Sequence, residues 1–150
     1  MTARRIDHVG ITVSDLDRSL HFYRDVLGMK LLARSTLKDA GNADLLGVDD
    51  LELTIADLDP GDGRVVELLQ YSAPSGKRVA YRSWDSASMH LALTVDDLDA
   101  LRSRLQEAGI EIISRRPLTI SDPGTSWDGV RCLYVRDPDG AVLELVQHPG

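Results

Sequence analysis

His8-Val9-Gly10-Ile11-Thr12-Val13-Ser14-Asp15-Leu16-Asp17 returns, 82 residues on, as His90-Leu91-Ala92-Leu93-Thr94-Val95-Asp96-Asp97-Leu98-Asp99. The histidine, the Thr-Val pair and the Asp-Leu-Asp triplet recur in register. A second echo lies downstream: Asp62-Gly63-Arg64-Val65-Val66-Glu67-Leu68-Leu69-Gln70 against Asp139-Gly140-Ala141-Val142-Leu143-Glu144-Leu145-Val146-Gln147, at an offset of 77. The shorter offset means that the second copy has lost a few loop residues between its anchors. Both halves run histidine strand, helix, further strands, glutamate strand, so the chain is read as a duplicated module. Two copies of this length do not make a solenoid.

Working outward, residues 6–13 alternate as a strand requires. Val9, Ile11 and Val13 point to a helix-packed face, and Ile6, His8, Gly10 and Thr12 to the other. Ser14 is the expected N-cap of the helix that follows, with Asp17 three residues on. Leu16, Leu20, Tyr23 and Leu27 keep helical spacing, and Gly28 supplies the stop. Met29 to Arg34 reads as a second strand, 35–49 as a loop with one helical turn around Leu45, Leu51 to Ala56 as a third strand, 57–63 as a turn and Val65 to Tyr71 as a fourth. A loop as long as 35–49 fits a lid or binding loop. Residues 72–87 have linker composition. The second module repeats the plan: Asp96 and Asp99 cap a helix with Leu98, Leu101 and Leu105 on its core face, and Gly109 stops it. Ile110 to Ser114 is a strand, 117–129 a loop, and Val130 to Val135 and Val142 to Gln147 are strands joined by the turn signal Asp137-Pro138-Asp139-Gly140. The fold class is therefore α+β. Two βαβββ modules, about 5–71 and 88–148, form one domain over 1–150, with an eight-stranded curved mixed sheet, helices outside and a free concave face.

The chain as a whole bounds the function. At 150 residues it buries one real core, and its net charge of −7 without a Lys/Arg cluster disfavours nucleic acid and anionic membranes as partners. The single cysteine, Cys132, lies in an apolar run and reads as a buried thiol rather than a nucleophile. No apolar run is long enough for a signal peptide or a membrane span, so a reducing cytoplasm is the expected compartment.

Alone, a strand histidine or strand glutamate is an ordinary surface residue. Duplication changes this: both copies keep the histidine and the glutamate while the apolar residues around them drift. A pseudo-twofold between the modules would bring His8, Glu67, His90 and Glu144 onto the concave face, two from each half. Two imidazoles and two carboxylates suit one divalent metal ion of borderline hardness, Ni, Co, Mn, Fe or Zn.

At these residues the chain resembles the vicinal oxygen chelate superfamily, which includes glyoxalase I, methylmalonyl-CoA epimerase, extradiol dioxygenases, fosfomycin-resistance enzymes and bleomycin-binding proteins. The resemblance covers essentially the whole chain. It is sharpest over His8-Val9 to Asp15-Leu16-Asp17-Arg18-Ser19, Phe22-Tyr23, Val26-Leu27-Gly28, and Asp137-Pro138-Asp139-Gly140 into Leu143-Glu144-Leu145. It implies paired βαβββ modules around one metal, with His8, Glu67, His90 and Glu144 at the ligand positions. Four ligands leave an octahedral ion two adjacent sites for two vicinal substrate oxygens. An extradiol dioxygenase needs a further site for O2 and so a triad, which ligation by Glu67 disfavours. A metal-free antibiotic-binding protein of the bleomycin type has no need of four ligands.

What remains is a metal-dependent isomerase, epimerase or lyase of the glyoxalase I or methylmalonyl-CoA epimerase type, moving a proton beside a carbonyl through an enediolate. Glu144 and Glu67 are the bases implied by glyoxalase I. Glu52 aligns with the carboxylate that the epimerase resemblance implies as a base. Enclosed by Leu51, Leu53 and Ile55 it would have a raised pKa, whereas facing outward it would be an ordinary strand residue. The substrate is a small molecule, with a thioester or thiol adduct among the options. Arg78, Tyr81, Arg82 and Trp84 read as linker residues, or as contacts for an anionic carrier, and Trp127 as a pocket wall. A homodimer is the expected assembly, with the ligands drawn from one chain or from two.

Overall fold

The computed structural model describes residue 2, residues 4–79 and residues 82–150. The chain divides into two compact units, Met1–Arg78 and Val79–Gly150. In the first, β1 (His8–Thr12), β2 (Lys30–Leu37), β3 (Glu52–Asp59) and β4 (Val65–Ala73) make a sheet in the order β1-β4-β3-β2. In the second, β5 (His90–Thr94), β6 (Leu118–Thr119), β7 (Arg131–Arg136) and β8 (Val142–Gln147) make another in the order β5-β8-β7-β6. Each leading strand pairs parallel with the last of its unit, and the remaining pairs are antiparallel. The expected eight strands are thus two four-stranded mixed sheets in an α+β fold.

Period-two alternation decides which side chains pack on the helices. On β4, Val66 and Leu68 are buried while Val65, Glu67 and Leu69 lie on the opposite, partly open face. The first helix opens as α1 (Leu16–Leu20) and continues as a π-helical segment, His21–Val26, in which Leu27 N–H donates to the Phe22 carbonyl at 2.9 Å. The wider winding corrects the helical reading: Phe22, Tyr23 and Val26 are fully enclosed, and Leu27 is only half-buried. The Phe22 and Tyr23 rings meet edge to face at 4.9 Å. Gly28 (φ +85°) and Gly109 (φ +68°) end the helices in a conformation that a side chain would disfavour. The second helix of the first unit is α2 (Ala40–Leu46), and α3 (Leu98–Glu107) buries Leu98 and Leu105 in the second unit.

Most of the repeated polar residues have a folding task. Asp15 accepts from Arg18 N–H at 3.0 Å; Asp97 accepts from Asp99 N–H at 3.0 Å and Ala100 N–H at 2.9 Å. These aspartates, not Ser14 or the Asp96 and Asp99 expected from the sequence, are the N-caps. Asp17 and Asp99 instead tie helix to sheet through Arg34 at 2.8 Å and Arg131 at 3.0 Å. Gln70 takes Leu16 N–H at 2.7 Å, and Gln147 takes Leu98 N–H at 3.1 Å. Helix N-termini leave such donors free, and a strand glutamine satisfies one in each module. Among the described residues, the two histidines and the two glutamates of the repeat make no such contact with a helix end; they meet each other within each unit.

Three stretches depart from the expected elements. Residues 35–49 are largely ordered: β2 runs on to Leu37, and α2 is capped by Asp39, which accepts from Asn42 N–H at 3.0 Å, and closed by Gly47 at φ +66°. Ala43 of α2 packs with Leu51 and Leu53, beside Leu37, Ile55, Leu69 and Tyr71. β3 extends through residues read as a turn, as far as Asp59. Ile110 to Ser114 is not a strand; Ile112 forms an isolated bridge to Val135, and Ile113 N–H and Ser114 N–H both donate to the Tyr134 carbonyl, at 2.9 and 3.2 Å, as at a bulge, while Ser114 Oγ takes Tyr134 N–H at 2.8 Å. The second ladder partner of β7, besides β8, is β6, inside the expected 117–129 loop.

Candidate active site

The parallel pairs set the site residues in rows. In the first unit Gly10 lies opposite Glu67, and Glu67 opposite Asp57, across β1, β4 and β3. His8 stands two residues before Gly10 on the same open face, with Nε2 3.9 Å from Glu67 Oε2 and Nδ1 3.2 Å from Asp7 Oδ2. In the second unit the corresponding row is Ala92, Glu144 and Tyr134. His90 Nε2 is 3.2 Å from Glu144 Oε2, and its ring meets Tyr134 edge to face at 5.4 Å. Both imidazoles are about half exposed (49% and 45%), and both carboxylates are more enclosed (Glu67 22%, Glu144 14%). Each sheet therefore presents one imidazole beside one carboxylate at equivalent positions. Among the described residues the donors gather as these pairs, and no three His, Cys, Asp or Glu side chains form a cluster fit to hold a metal ion.

Two features of these pairs bear on whether a borderline divalent ion could be held. The donor set is imidazole nitrogen with carboxylate oxygen. Space is kept beside it: a Cβ on Gly10 would stand 3.1 Å from Leu69 Cδ1 and 3.9 Å from Glu67 Oε2.

The two pairs are not electrostatically alike. Glu144 is hydrogen-bonded by Tyr134 and Cys132. Burial, followed by that hydrogen bond and the Glu144 charge, pushes the Cys132 thiol up to about 11. The Tyr134 phenol is likewise raised, by burial first and then by the Glu144 charge. Cys132 is buried against Val130 and Val146, as its apolar surroundings indicate. Glu67 faces another carboxylate instead. Asp57 Oδ1 is closed to solvent and has no hydrogen-bond partner. Asp57 was hidden by its turn-like context; its alternation with buried Ala56 and Leu58 is the signal that marks it.

Glu52 is 42% exposed and ion-paired with Lys38 Nζ at 2.8 Å, rather than enclosed by Leu51, Leu53 and Ile55. Arg82 is held by Asp85 at 2.8 and 2.6 Å and lies 5.8 Å over the exposed Trp84 ring. Tyr81 lies outside the described residues, and Trp127 is partly exposed. No helix among the described residues is long and apolar enough to cross a membrane.

Comparison with known proteins converges on one family. The model of the Glyoxalase/Bleomycin resistance protein/Dioxygenase superfamily matches residues 5–145. A 2-epi-5-epi-valiolone epimerase from Actinomyces sp is 34% identical over 149 residues, covering 96% of this chain and 79% of the relative. A probable lactoylglutathione lyase from Vibrio cholerae is 32% identical over 151 residues, covering 99% and 94%. Among solved structures, a trypanothione-dependent glyoxalase I from Leishmania major superposes with a TM-score of 0.66 at 28% identity, over 97% of this chain and 87% of that one. A glyoxalase family protein from Bacillus cereus reaches 0.84 at 22% identity, over 100% and 97%, a likeness of fold.

Proposed function

The chain belongs to the Glyoxalase/Bleomycin resistance protein/Dioxygenase superfamily, and from that premise we propose that it is a metal-dependent isomerase, epimerase or lyase that transfers a proton beside the carbonyl of a small substrate held through two oxygens. The observation that carries this reading is the recurrence of a His–Glu pair on the open face of each sheet, at equivalent register, where the two side chains meet each other. Relatives named as an epimerase and a lyase support the same class of chemistry.

In this reading His8, Glu67, His90 and Glu144 hold one Ni, Co, Mn, Fe or Zn ion. The ion supplies Lewis-acid polarisation of the substrate carbonyl. Glu67 and Glu144 are the groups that take and return the proton. Tyr134 orients Glu144, while Glu67 has space on the Gly10 side in which to move. Glu52 would have to leave Lys38 before serving as a base. Assembly as a homodimer belongs to the same proposal.

Metal analysis of protein purified without chelator, together with deuterium wash-in from D2O, tests the reading. Stoichiometric divalent metal and chelator-sensitive exchange of a substrate C–H are expected. A reproducibly metal-free protein that sequesters an antibiotic would contradict it. So would oxygen uptake with catechols that survives Glu67→Ala.

A further inference from the structure

The two site histidines are held in different ways, and the difference begins one residue before each. Asp7 precedes His8, whereas Met89 precedes His90. Asp7 lies one residue ahead of the first ladder pair, His8 with Val65, so the pleat does not fix its side chain away from its neighbour's. Its Oδ2 stands 3.2 Å from His8 Nδ1, and its Oδ1 3.9 Å from Arg5 Nη2. An ionised carboxylate can only accept, so the His8 ring donates from Nδ1. A neutral imidazole has one ring proton, and with that proton on Nδ1 the lone pair is on Nε2. This nitrogen is 3.9 Å from Glu67 Oε2, too far for a hydrogen bond. In the second unit the arrangement is reversed. His90 Nε2 is 3.2 Å from Glu144 Oε2, where a ring lone pair would face the lone pairs of a carboxylate, so the proton belongs on Nε2. The thioether of Met89, itself exposed, is no match for a carboxylate as an acceptor for Nδ1.

We propose that Asp7 is a positioning residue: it keeps the His8 proton on Nδ1 and so turns a bare Nε2 lone pair toward the open face of the first sheet, while the second unit keeps its imidazole in the opposite tautomer, closed on Glu144. The first half-site is then ready to donate as it stands. The second must first break the His90–Glu144 contact, losing the proton from Nε2 to solvent and taking one up at Nδ1. Asp7 is exposed, so its contact adds little to stability. Choosing between two tautomers of one ring needs only a small bias, however, and a free neutral imidazole leans toward the Nε2–H form that Asp7 opposes. Fixing the ring proton through the far nitrogen is also how a supporting carboxylate makes an imidazole a better ligand. His21 makes the same kind of contact, with Nδ1 3.2 Å from Asp25 Oδ2, but away from the site and with Asp25 also gripped by Arg24 at 2.6 and 2.8 Å. The consequence for affinity rests on the metal-holding reading; the two tautomers do not.

Long-range 1H–15N correlation NMR of the metal-free full chain, at about pH 9 so that the rings are neutral, reads the tautomers directly. His8→Ala and His90→Ala assign the two signals, and His21 supplies a reference for a ring that donates from Nδ1. His8 is expected mainly as the Nδ1–H form and His90 mainly as Nε2–H. In Asp7→Ala the His8 ring should go over to mostly Nε2–H, with His90 and the melting temperature unchanged. Calorimetric titration with Ni2+ should show Asp7→Ala binding roughly 5- to 10-fold more weakly, because the competent tautomer is then the minor one. His8 found mainly as Nε2–H in the parent, or a His8 tautomer indifferent to Asp7→Ala, overturns the inference while leaving the broader reading intact. A shifted tautomer with unchanged Ni2+ affinity overturns the positioning role. A parent protein that takes up no Ni2+ counts against the broader reading; the NMR then decides Asp7, with a tautomer shift in Asp7→Ala supporting its hold on His8 and no shift overturning it.

Discussion

Gln147 and Glu67 are both repeated polar strand residues, yet their replacement should have opposite consequences. Gln147 Oε1 accepts from Leu98 N–H at 3.1 Å and Arg131 Nη1 at 3.3 Å, and its Nε2 donates to the Asp96 carbonyl at 3.1 Å. The Asp97 cap already serves Asp99 and Ala100, so Gln147→Ala leaves Leu98 N–H without an acceptor at the partly buried start of α3. An orphaned amide of this kind costs about 1–2 kcal/mol, and the weaker contacts add roughly 0.5 kcal/mol. About 2 kcal/mol in a chain of this size lowers the melting temperature by roughly 4–8 °C. Glu67→Gln breaks no fold hydrogen bond and removes a like charge facing Asp57, so stability should stay level or rise by about 0.5 kcal/mol, while metal binding collapses. Paired urea and thermal denaturation of the metal-free variants, with metal titration of each, reads both effects. If Glu67→Gln destabilises as much as Gln147→Ala, or if Gln147→Ala is silent, the division of the repeat into folding and chemical residues is wrong.

Other consequences can be checked as directly. Gly10→Val should leave the strand as stable, since β-branched residues suit strands and the nearest obstacle is the movable end of Leu69. Its γ-methyls would crowd Glu67 and weaken metal binding by about 10-fold or more, the scale on which support of a ligand matters; unchanged calorimetric affinity refutes this. In metal-free protein the sole thiol, Cys132, should titrate near 11 by thiolate absorbance, and Glu144→Gln should bring it down only part of the way, because burial is the largest cause. A folded pKa above the unfolded one of about 8.5 stabilises fully below that value, and the contribution is lost as pH rises toward 11. Urea midpoints should therefore fall between pH 8 and pH 10.5.

What could be read in advance followed from periodicity and repetition. His8 and Glu67 sit on the open faces of β1 and β4 because alternating Val9, Ile11, Val66 and Leu68 turn inward, and a period of two is visible in any sequence. The helix caps were displaced by one residue, from Ser14 to Asp15, since either side chain can accept an amide. Asp57 was hidden because Asp57-Leu58-Asp59-Pro60-Gly61 has turn composition, although buried Leu58 keeps the strand going. The α2 segment was legible only as one turn around Leu45, because Gly41 and Asn42 are poor helix formers, offset by the Asp39 cap and by burial of Ala43. The π-helical winding that turns Phe22 and Tyr23 inward together left no local mark at all. Nor did the Lys38–Glu52 ion pair, which depends on where two strand ends meet.

The central claim is that a histidine and a glutamate from each module act as one centre. Calorimetric titration of chelator-stripped protein with Ni2+ or Mn2+, alongside His8→Ala and His90→Ala, tests it most directly. The account predicts one ion per pair of modules and a loss of about 100-fold or more in affinity from either single substitution, because each removes a ligand from the same ion. Two weak independent sites, with each variant losing one and keeping the other at full affinity, would contradict it.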